Sequence, residues 1–274
     1  MKNPLITLAA LMLLISCNEQ ARYSISFDEN YINSSTKDFL LLDEFSDYIF
    51  MPRFNNVKSI RYTISDAEMK FGEYIAGEIY EVYDFEYSNN NLQKITVYDE
   101  TGEIYLIGRY EYKDGQNISQ ESICDEDEVL VKYSYKYTPN KIVVNEKYDN
   151  EAGVDLIIII DENNRILERY WSDDEEDKIS IKYGINNKVS RLTNQRRSQI
   201  VDFKYDSNNR ITEVIPWGLK FFYNDERLAY IESSDDNRRI EYIYDSSNLP
   251  TRVLFKDNVG GEGQVIDIIV EFDE

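Results

Sequence analysis

Histidine is absent from this 274-residue chain, and cysteine and tryptophan occur only twice each. Without histidine there can be no Ser-His-Asp or Cys-His catalysis, no imidazole-ligated zinc and no ordinary general base near neutral pH. A glycine-rich phosphate loop and a CxxC motif are missing as well. Carboxylate pairs could hydrolyse glycosides, but among 52 acidic residues such pairs arise by chance. We therefore expect no enzyme, and a carboxylate-dependent hydrolase is the least favoured functional alternative.

Basic residues are also few, because 30 lysines and arginines face 52 acidic residues and leave a net charge of −22. Such a surface repels nucleic acid, so we expect no nucleic-acid partner. Solubility is the ordinary explanation of this net charge. Affinity for cations or for a basic partner is the more specific, functional explanation. The acidic run 173–177 and the turns near Asp149 and Asp161 offer oxygen ligands for Ca²⁺ without EF-hand or RTX spacing. We predict no metal site and no cofactor beyond weak calcium binding.

The N-terminus carries the longest apolar stretch. Lys2 gives a basic start, residues Pro4 to Ile15 are almost wholly apolar, and Ser16 and Cys17 follow. A stretch of this length falls short of the roughly 20 residues that span a bilayer comfortably. A basic start, a short apolar region and a small residue before the cleavage site are typical of a secretory signal peptide.

Leu14, Ser16 and Cys17 resemble the lipobox of bacterial lipoproteins. In that family the cysteine thiol is alkylated with diacylglycerol, and cleavage before the cysteine leaves it as the new N-terminus. The resemblance implies cleavage between Ser16 and Cys17, lipidation of Cys17 and anchoring to the outer membrane, on its periplasmic or surface-exposed face. The alternatives are a plain signal peptide with an incidental cysteine, or a buried N-terminal helix. With Cys17 lipidated, Cys124 has no partner for an intrachain disulfide.

A segment of about 22 residues recurs along the chain. Each copy is an alternating run that ends in an aromatic or aliphatic anchor, followed by a turn rich in Asn and Asp and then by an aliphatic residue. The anchors are Tyr87, Tyr112, Tyr137, Ile160, Tyr183, Tyr205, Tyr223 and Tyr244, and a half-copy ends at Phe272.

Residues two and four places before each anchor are apolar except at Gly108, and those between them are mostly polar. Because successive side chains of a strand point to opposite faces, each run predicts a strand with one apolar face and one solvent-exposed face. Asn and Asp tolerate positive φ, so the turns predict hairpin tips at Asn163-Asn164, Asn186-Asn187 and Asn208-Asn209. We predict an all-β fold, an extended or curled antiparallel sheet of about sixteen to eighteen strands built from repeated β-hairpins.

The segment from Tyr205 to Val214 resembles the YD repeat of Rhs-type and toxin-shell proteins, whose core is Tyr-Asp, a short turn and Gly-Arg-Leu. Here Asn209 stands where that family prefers Gly, and the copies from Tyr223 and Tyr244 are looser matches. The resemblance covers residues 83–274 and extends to small exported YD-like lipoproteins of Bacteroidota. In that family the repeats form long antiparallel sheets that curl into spirals or shells. A shell needs many more copies than the eight here, so the resemblance implies the sheet architecture alone.

We therefore divide the sequence into three predicted regions: a cleaved signal peptide (1–16), the lipidated cysteine with a tether and N-terminal cap (17–56), and the repeat domain (57–274). Residues Asp38 to Met51 could form a short capping helix or an irregular strand. Residues Ile157 to Ile160 are apolar on both faces, so the outer face must be covered there. Curling of the sheet or packing of the N-terminal segment is favoured over a dimer contact.

We therefore expect a non-catalytic, lipid-anchored binding or scaffold protein of the cell envelope that presents a repeat β-sheet to a protein partner. The main alternative is a surface glycan-binding lipoprotein. Trp171 and Trp217 would then bind the ligand, since both are expected at loop-like positions just beyond second strands, where a ring could stack on a sugar. Packing over the sheet edge is the plainer interpretation of both tryptophans.

Overall fold

The computed structural model describes most of the repeat region and little before it. The described residues are 23–24, 53–54, 57–71, 73–89, 91–113, 116–123, 129–148, 151–163, 165–184, 187–196, 198–216, 218–225, 227–234, 238–257 and 263–272. The signal peptide, Ser16, Cys17, the segment 38–51, Cys124 and Trp217 lie outside them. No helix that could span a membrane occurs within these ranges.

The regular structure of these ranges is β-strand throughout, without an α-helix. The strands are β1 (Tyr23–Ser24), β2 (Arg53–Phe54), β3 (Val57–Lys70), β4 (Glu73–Ser88), β5 (Asn91–Tyr98), β6 (Ile104–Lys113), β7 (Gln116–Ile123), β8 (Val129–Thr138), β9 (Lys141–Tyr148), β10 (Glu151–Ile160), β11 (Ile166–Trp171), β12 (Asp174–Tyr183), β13 (Val189–Asn194), β14 (Gln199–Tyr205), β15 (Ile211–Ile215), β16 (Leu219–Asn224), β17 (Arg227–Ser233), β18 (Arg238–Tyr244), β19 (Pro250–Asp257) and β20 (Gly263–Phe272).

The strands fall into two compact units. In the central unit, strands β8 to β15 pair in chain order, each antiparallel to the next. The outer unit combines both ends of the repeat region: β3 to β6 and β16 to β20 pair in chain order. Its two halves join where β20 pairs antiparallel with β3, with Ile268 opposite Tyr62. The predicted fold of repeated antiparallel hairpins is confirmed.

The predicted alternation of faces is confirmed too. In β4, Tyr83 and Phe85 are buried while Glu86 is exposed. The other residues two and four places before an anchor are buried at Gly108, Tyr110, Tyr133, Leu156, Ile158, Val201, Phe203, Leu219, Phe221, Ile240, Tyr242 and Ile268, and partly buried at Tyr135, Ile179, Ile181 and Val270. Each fully buried large apolar side chain contributes about 1.5–3 kcal/mol to stability. The apolar faces of the strands thus form the core.

On the polar face, opposite charges stand directly across neighbouring strands. Arg61 donates two hydrogen bonds to Asp84, at 2.6 and 2.5 Å. The same direct opposition occurs for Arg191 with Asp202 and for Arg252 with Asp267. Exposed cross-strand pairs of this kind contribute about 0.2–1 kcal/mol each. Because a slip of one residue would separate them, they favour the observed register.

Strand β10 is covered on both faces, as its composition required. Leu156, Ile158 and Ile160 belong to the core cluster of the central unit. Ile157 points to the opposite face, yet only 7% of it is exposed. Its direct cross-strand neighbours there are Val143 and Tyr170.

The hairpin of β3 and β4 is the longest, with strands of 14 and 16 residues. The other strands of the described ranges have at most 10 residues. Register shifts at Ser65 interrupt the pairing of β3 with β4 on both sides of that residue. β-Bulges increase local twist and re-aim side chains. The distal half of this hairpin therefore presents its side chains differently from the other strands.

Candidate binding surface

The aspartate of the Tyr-Asp motif closes its own turn. Asp206 Oδ1 accepts hydrogen bonds from the backbone N–H groups of Asn208 and Arg210, at 2.8 and 2.9 Å. Asp206 Oδ2 accepts from Arg210 Nε at 2.7 Å. Burial acts to raise the pKa of the Asp206 carboxyl, but these hydrogen bonds from Arg210 and Asn208 outweigh it and lower that pKa. Asn209 takes the positive φ, 61°, as expected for a hairpin tip.

The same arrangement recurs at Asp161, which accepts from the backbone N–H groups of Asn163 and Arg165, and at Asp245, which accepts from those of Ser247 and Leu249. Asn187 also has the positive φ expected at its tip, 59°. Asn164 and Asn186 lie outside the described ranges. The acidic turn at Asp161 is thus occupied by hydrogen bonds that hold the hairpin.

The tyrosine of the motif links one hairpin to the one before it. Its hydroxyl donates to a backbone carbonyl at the start of the second strand of the preceding hairpin, at the first or second residue of that strand. The pairs are Tyr183 with Ile166 (3.0 Å), Tyr205 with Val189 (2.7 Å) and Tyr244 with Leu228 (2.9 Å). We call this repeated set of contacts the tip ladder.

Arginine side chains add a second link to the tip ladder. Arg165 Nη1 donates to Asn187 Oδ1 at 2.8 Å, and its guanidinium lies 4.8 Å from the ring centre of Tyr183. Arg227 makes the corresponding contacts with Asn248, at 2.7 Å, and with Tyr244, at 5.6 Å. Charge-assisted hydrogen bonds and cation–π contacts are both stabilising. The polar tips bind one another, so we interpret them as structural.

The acidic run 173–177 lies mostly in β12. Asp174 pairs with Arg196, and Asp177 Oδ1 accepts from Asn194 Nδ2 at 3.0 Å. Within the described ranges no group of three or more His, Cys, Asp or Glu side chains could hold a metal ion. Asp149 lies outside them. Weak calcium binding therefore stays a prediction without an assembled ligand set in this part of the chain.

The expected loop position of Trp171 is wrong. Trp171 is the last residue of β11, opposite Leu156 and Asp174, and it packs partly buried against the core cluster of the central unit. The strand extends to Trp171 because only two residues, Ser172 and Asp173, connect β11 to β12. A ring packed on the core offers less of its face for stacking on a sugar. Ligand binding by Trp171 and Trp217 stays a prediction.

A different surface stands out at the end of the long hairpin. Phe71 follows β3, is fully exposed, and has a φ of 56°. The other non-glycine residues with positive φ in the described ranges are Asn89, Asn187, Ser198, Asn209, Asp225 and Asn248. A left-handed backbone costs an L-residue about 1–2 kcal/mol, and Asn and Asp tolerate it best. Phe71 therefore takes up an unfavourable conformation, and its exposed ring gains no burial in return.

Further exposed apolar side chains lie on the two strands of the same hairpin. Met69 is 50% exposed, Ile75 42% and Ile79 49%. Together with Phe71 they form what we call the apolar tip. Single exposed apolar residues are ordinary, whereas a group of them marks a binding surface.

The base of the long hairpin is held by one carboxylate. Glu81 accepts hydrogen bonds from the hydroxyls of Tyr83, at 2.9 Å, and Tyr105, at 2.8 Å. Burial and the hydrogen bond to Glu81 raise the pKa of Tyr105 to about 12. Further out, Tyr74 and Ala76 pack against a small cluster of Ala67, Leu254 and Val265.

The apolar tip lies outside the repeat that the sequence shows, because that repeat begins at Tyr83. One signal was available: Phe71-Gly72 stands between two alternating runs where Asn-Gly or Asp-Gly would be the favoured turn. A bulky aromatic residue at a turn position that favours Asn suggests a role outside folding.

No protein-family model matches the sequence, and no curated protein matches it. Over 68% of its length the chain is similar to the crystal structure of TcdB2-TccC3-TEV, at 10% identity and a TM-score of 0.37, and spans 13% of that protein. It is also similar to porin-like proteins from Bacteroides uniformis (11% identity, TM-score 0.34) and Bacteroides vulgatus (14%, 0.29), over 79% of this chain and 98% of each of those. Similarity at this level assigns no function, so the lipobox and YD resemblances remain predictions from the sequence.

Proposed function

We propose that this chain is a non-catalytic scaffold of the bacterial cell envelope, anchored to the outer membrane through lipidated Cys17, and that it presents its repeat sheet to a protein partner. The observation that carries the proposal is the set of exposed apolar side chains, in the apolar tip and at Ile200, Ile243 and Ile269, on an otherwise interlocked sheet. Polar groups at the hairpin tips are engaged by their neighbours, whereas Phe71 and Met69 are exposed. Exposed apolar groups on a rigid support are typical of protein interfaces.

The absence of histidine from the sequence supports a non-catalytic role. The net charge of −22 supports a partner other than nucleic acid or an anionic lipid surface. A lipid on Cys17 would restrict the sheet to a layer close to the membrane and raise its effective concentration toward envelope proteins.

Photo-cross-linking in intact cells tests this proposal. A photoreactive residue replaces Ile200, Ile243 or Ile269, which are exposed apolar residues of three different strands, or Phe71 in the apolar tip. We expect a discrete protein adduct from at least one of these positions, lost when Cys17→Ala releases the chain from the membrane. The absence of protein adducts from all four positions would overturn the proposed scaffold function.

A further inference from the structure

We propose that the apolar tip inserts into an apolar groove of a protein whose groove has a basic rim. This inference rests on the proposed scaffold function and deepens it, because it names the docking element and the chemistry of its partner. Three observations carry it: the conformation of Phe71, the exposed apolar residues on the two strands of the same hairpin, and the acidic residues of that hairpin.

Phe71 is the element that inserts. It is the one bulky residue among the non-glycine positive-φ positions of the described ranges, which otherwise hold Asn, Asp or Ser. Backbone strain of this kind persists at binding sites, where the side chain is needed for a contact that folding itself does not supply. A fully exposed phenylalanine on a turn is a large aromatic anchor, the residue class enriched at the centre of interfaces.

The neighbouring residues extend the contact area. Met69 in β3 and Ile79 in β4 are about half exposed, and Ile75 adds a third aliphatic side chain opposite Glu68. Methionine adapts to irregular surfaces, which suits a groove that is not preformed for a single shape. The apolar tip thus offers an aromatic anchor with aliphatic support on both strands.

The charges beside the apolar tip determine the partner. Residues 66–81 carry five carboxylates, namely Asp66, Glu68, Glu73, Glu78 and Glu81, and one lysine. That lysine, Lys70, pairs with Glu68, so its charge is already compensated. An acidic rim is complementary to a basic surface and repels anionic headgroups. The observations therefore favour a basic protein groove over insertion into a lipid bilayer.

The hairpin is also preorganised for docking. The hydroxyls of Tyr83 and Tyr105 donate to Glu81 at its base, and Tyr74 lies with its ring 5.4 Å from Lys256 Nζ of β19. A surface already held in one conformation loses less entropy when it binds.

Two variants of the full-length lipoprotein in detergent test the inference. Phe71→Asn removes the anchor and places at the positive-φ position a residue that tolerates it. Ile269→Asn removes another exposed apolar side chain, 60% exposed and located in β20, as the matched control. The probe is a fluorescent amphipathic peptide of Leu and Lys at helical spacing, compared with a peptide that carries Glu in place of Lys.

We expect the Lys peptide to bind the wild type and Ile269→Asn equally, and Phe71→Asn about ten- to a hundredfold more weakly. The Glu peptide should not bind. A photoreactive leucine in the Lys peptide should cross-link within residues 68–79. Thermal melting should show Phe71→Asn at least as stable as the wild type, so that lost binding cannot be attributed to unfolding.

Equal binding of the Lys peptide by Phe71→Asn and wild type would overturn the inference. So would Phe71-dependent binding to lipid, measured on the unanchored variant Cys17→Ala with and without Phe71→Asn, to vesicles of phosphatidylcholine or of phosphatidylcholine with phosphatidylglycerol, since it identifies a lipid occupant of the apolar tip. The proposed function is distinguished by the cellular experiment. A protein adduct from Ile200, Ile243 or Ile269 without one from Phe71 would retain the scaffold and reject the docking hairpin.

Discussion

Tyrosine occupies two kinds of position in this chain. At the anchors, hydroxyls such as that of Tyr205 reach the rim of the sheet and donate across neighbouring hairpins. In the interior, the hydroxyls of Tyr62 and Tyr242 are buried without a hydrogen-bond partner. Burial, with smaller effects of nearby tyrosines, raises the pKa of both phenols well above its usual range. The tyrosine hydroxyl is therefore stabilising at the rim and costly in the core, where the ring alone contributes to packing.

Tyr205→Phe should lower the free energy of unfolding by about 1 kcal/mol, because it removes the hydrogen bond to the carbonyl of Val189 while keeping the ring. Urea unfolding followed by far-UV circular dichroism measures the change. An unchanged midpoint would mean that the tip ladder contributes nothing at this site.

Tyr62→Phe should change the free energy of unfolding in the opposite direction and raise it. It removes a buried hydroxyl that has no partner, and relieving such a group is worth about 1–3 kcal/mol before any loss of packing. The variant should therefore unfold at a higher urea concentration than the wild type. A clear loss of stability would show that the hydroxyl contributes a favourable interaction.

At the scale of the element, the hairpin turn depends on an ionised aspartate. The folded protein lowers the pKa of Asp206 and also that of Asp161. A carboxyl whose folded pKa lies below its unfolded value near 4 stabilises the fold above that pH, and loses this contribution as the pH falls through the folded pKa.

Asp206→Asn should destabilise the protein at pH 7 by about 1 kcal/mol or less, since the amide oxygen can still accept from the backbone but the charge opposite Arg210 is lost. The difference from wild type should shrink as the pH is lowered below about 4, where the wild-type carboxylate protonates. Urea midpoints at pH 7 and pH 3 measure it, with Glu100→Gln as the control for removing one exposed charge. A difference in stability that stays constant with pH would show that the ionised carboxylate of Asp206 is not the source of the stabilisation.

The hairpins themselves were predictable because their faces follow the two-residue period of a strand, as at Tyr83 and Phe85. The turn at Asn209 was predictable because few residues tolerate positive φ. The bond from Tyr205 to Val189 was not, since it depends on how neighbouring hairpins stack and not on local pattern. The turn at Phe71 was not predictable either, because turn preferences argue against phenylalanine where the structure places it.

At the scale of the whole molecule, the proposed membrane attachment depends on Cys17, which lies outside the described ranges. Cells fed a clickable palmitate analogue should label the wild type and Cys124→Ala equally, and should leave Cys17→Ala unlabelled. The reason is that the lipobox resemblance assigns acylation to the cysteine that follows Leu14, Ile15 and Ser16. In-gel fluorescence after immunoprecipitation measures the label, and labelled Cys17→Ala would contradict the anchor.

The pairing of β20 with β3 could not be inferred from the repeat, which specifies neighbours in chain order and leaves the partner of each terminal strand open. For the register of neighbouring strands, by contrast, the charge pattern of the sequence is informative. The opposition of Arg252 and Asp267 across β19 and β20 agrees with a register that hydrophobic alternation alone would also favour.

The junction of β20 with β3 has a temporal consequence. Ile268 and Tyr62 are neighbours in the sheet but stand at opposite ends of the repeat region, and closing so long a loop slows folding. The strands of the central unit can pair one after another, in chain order, as the chain emerges from a ribosome or a translocon. The outer unit must wait for its last strand, with one side of β3 unpaired until then. The outer unit therefore completes its fold only after β20 has been synthesised.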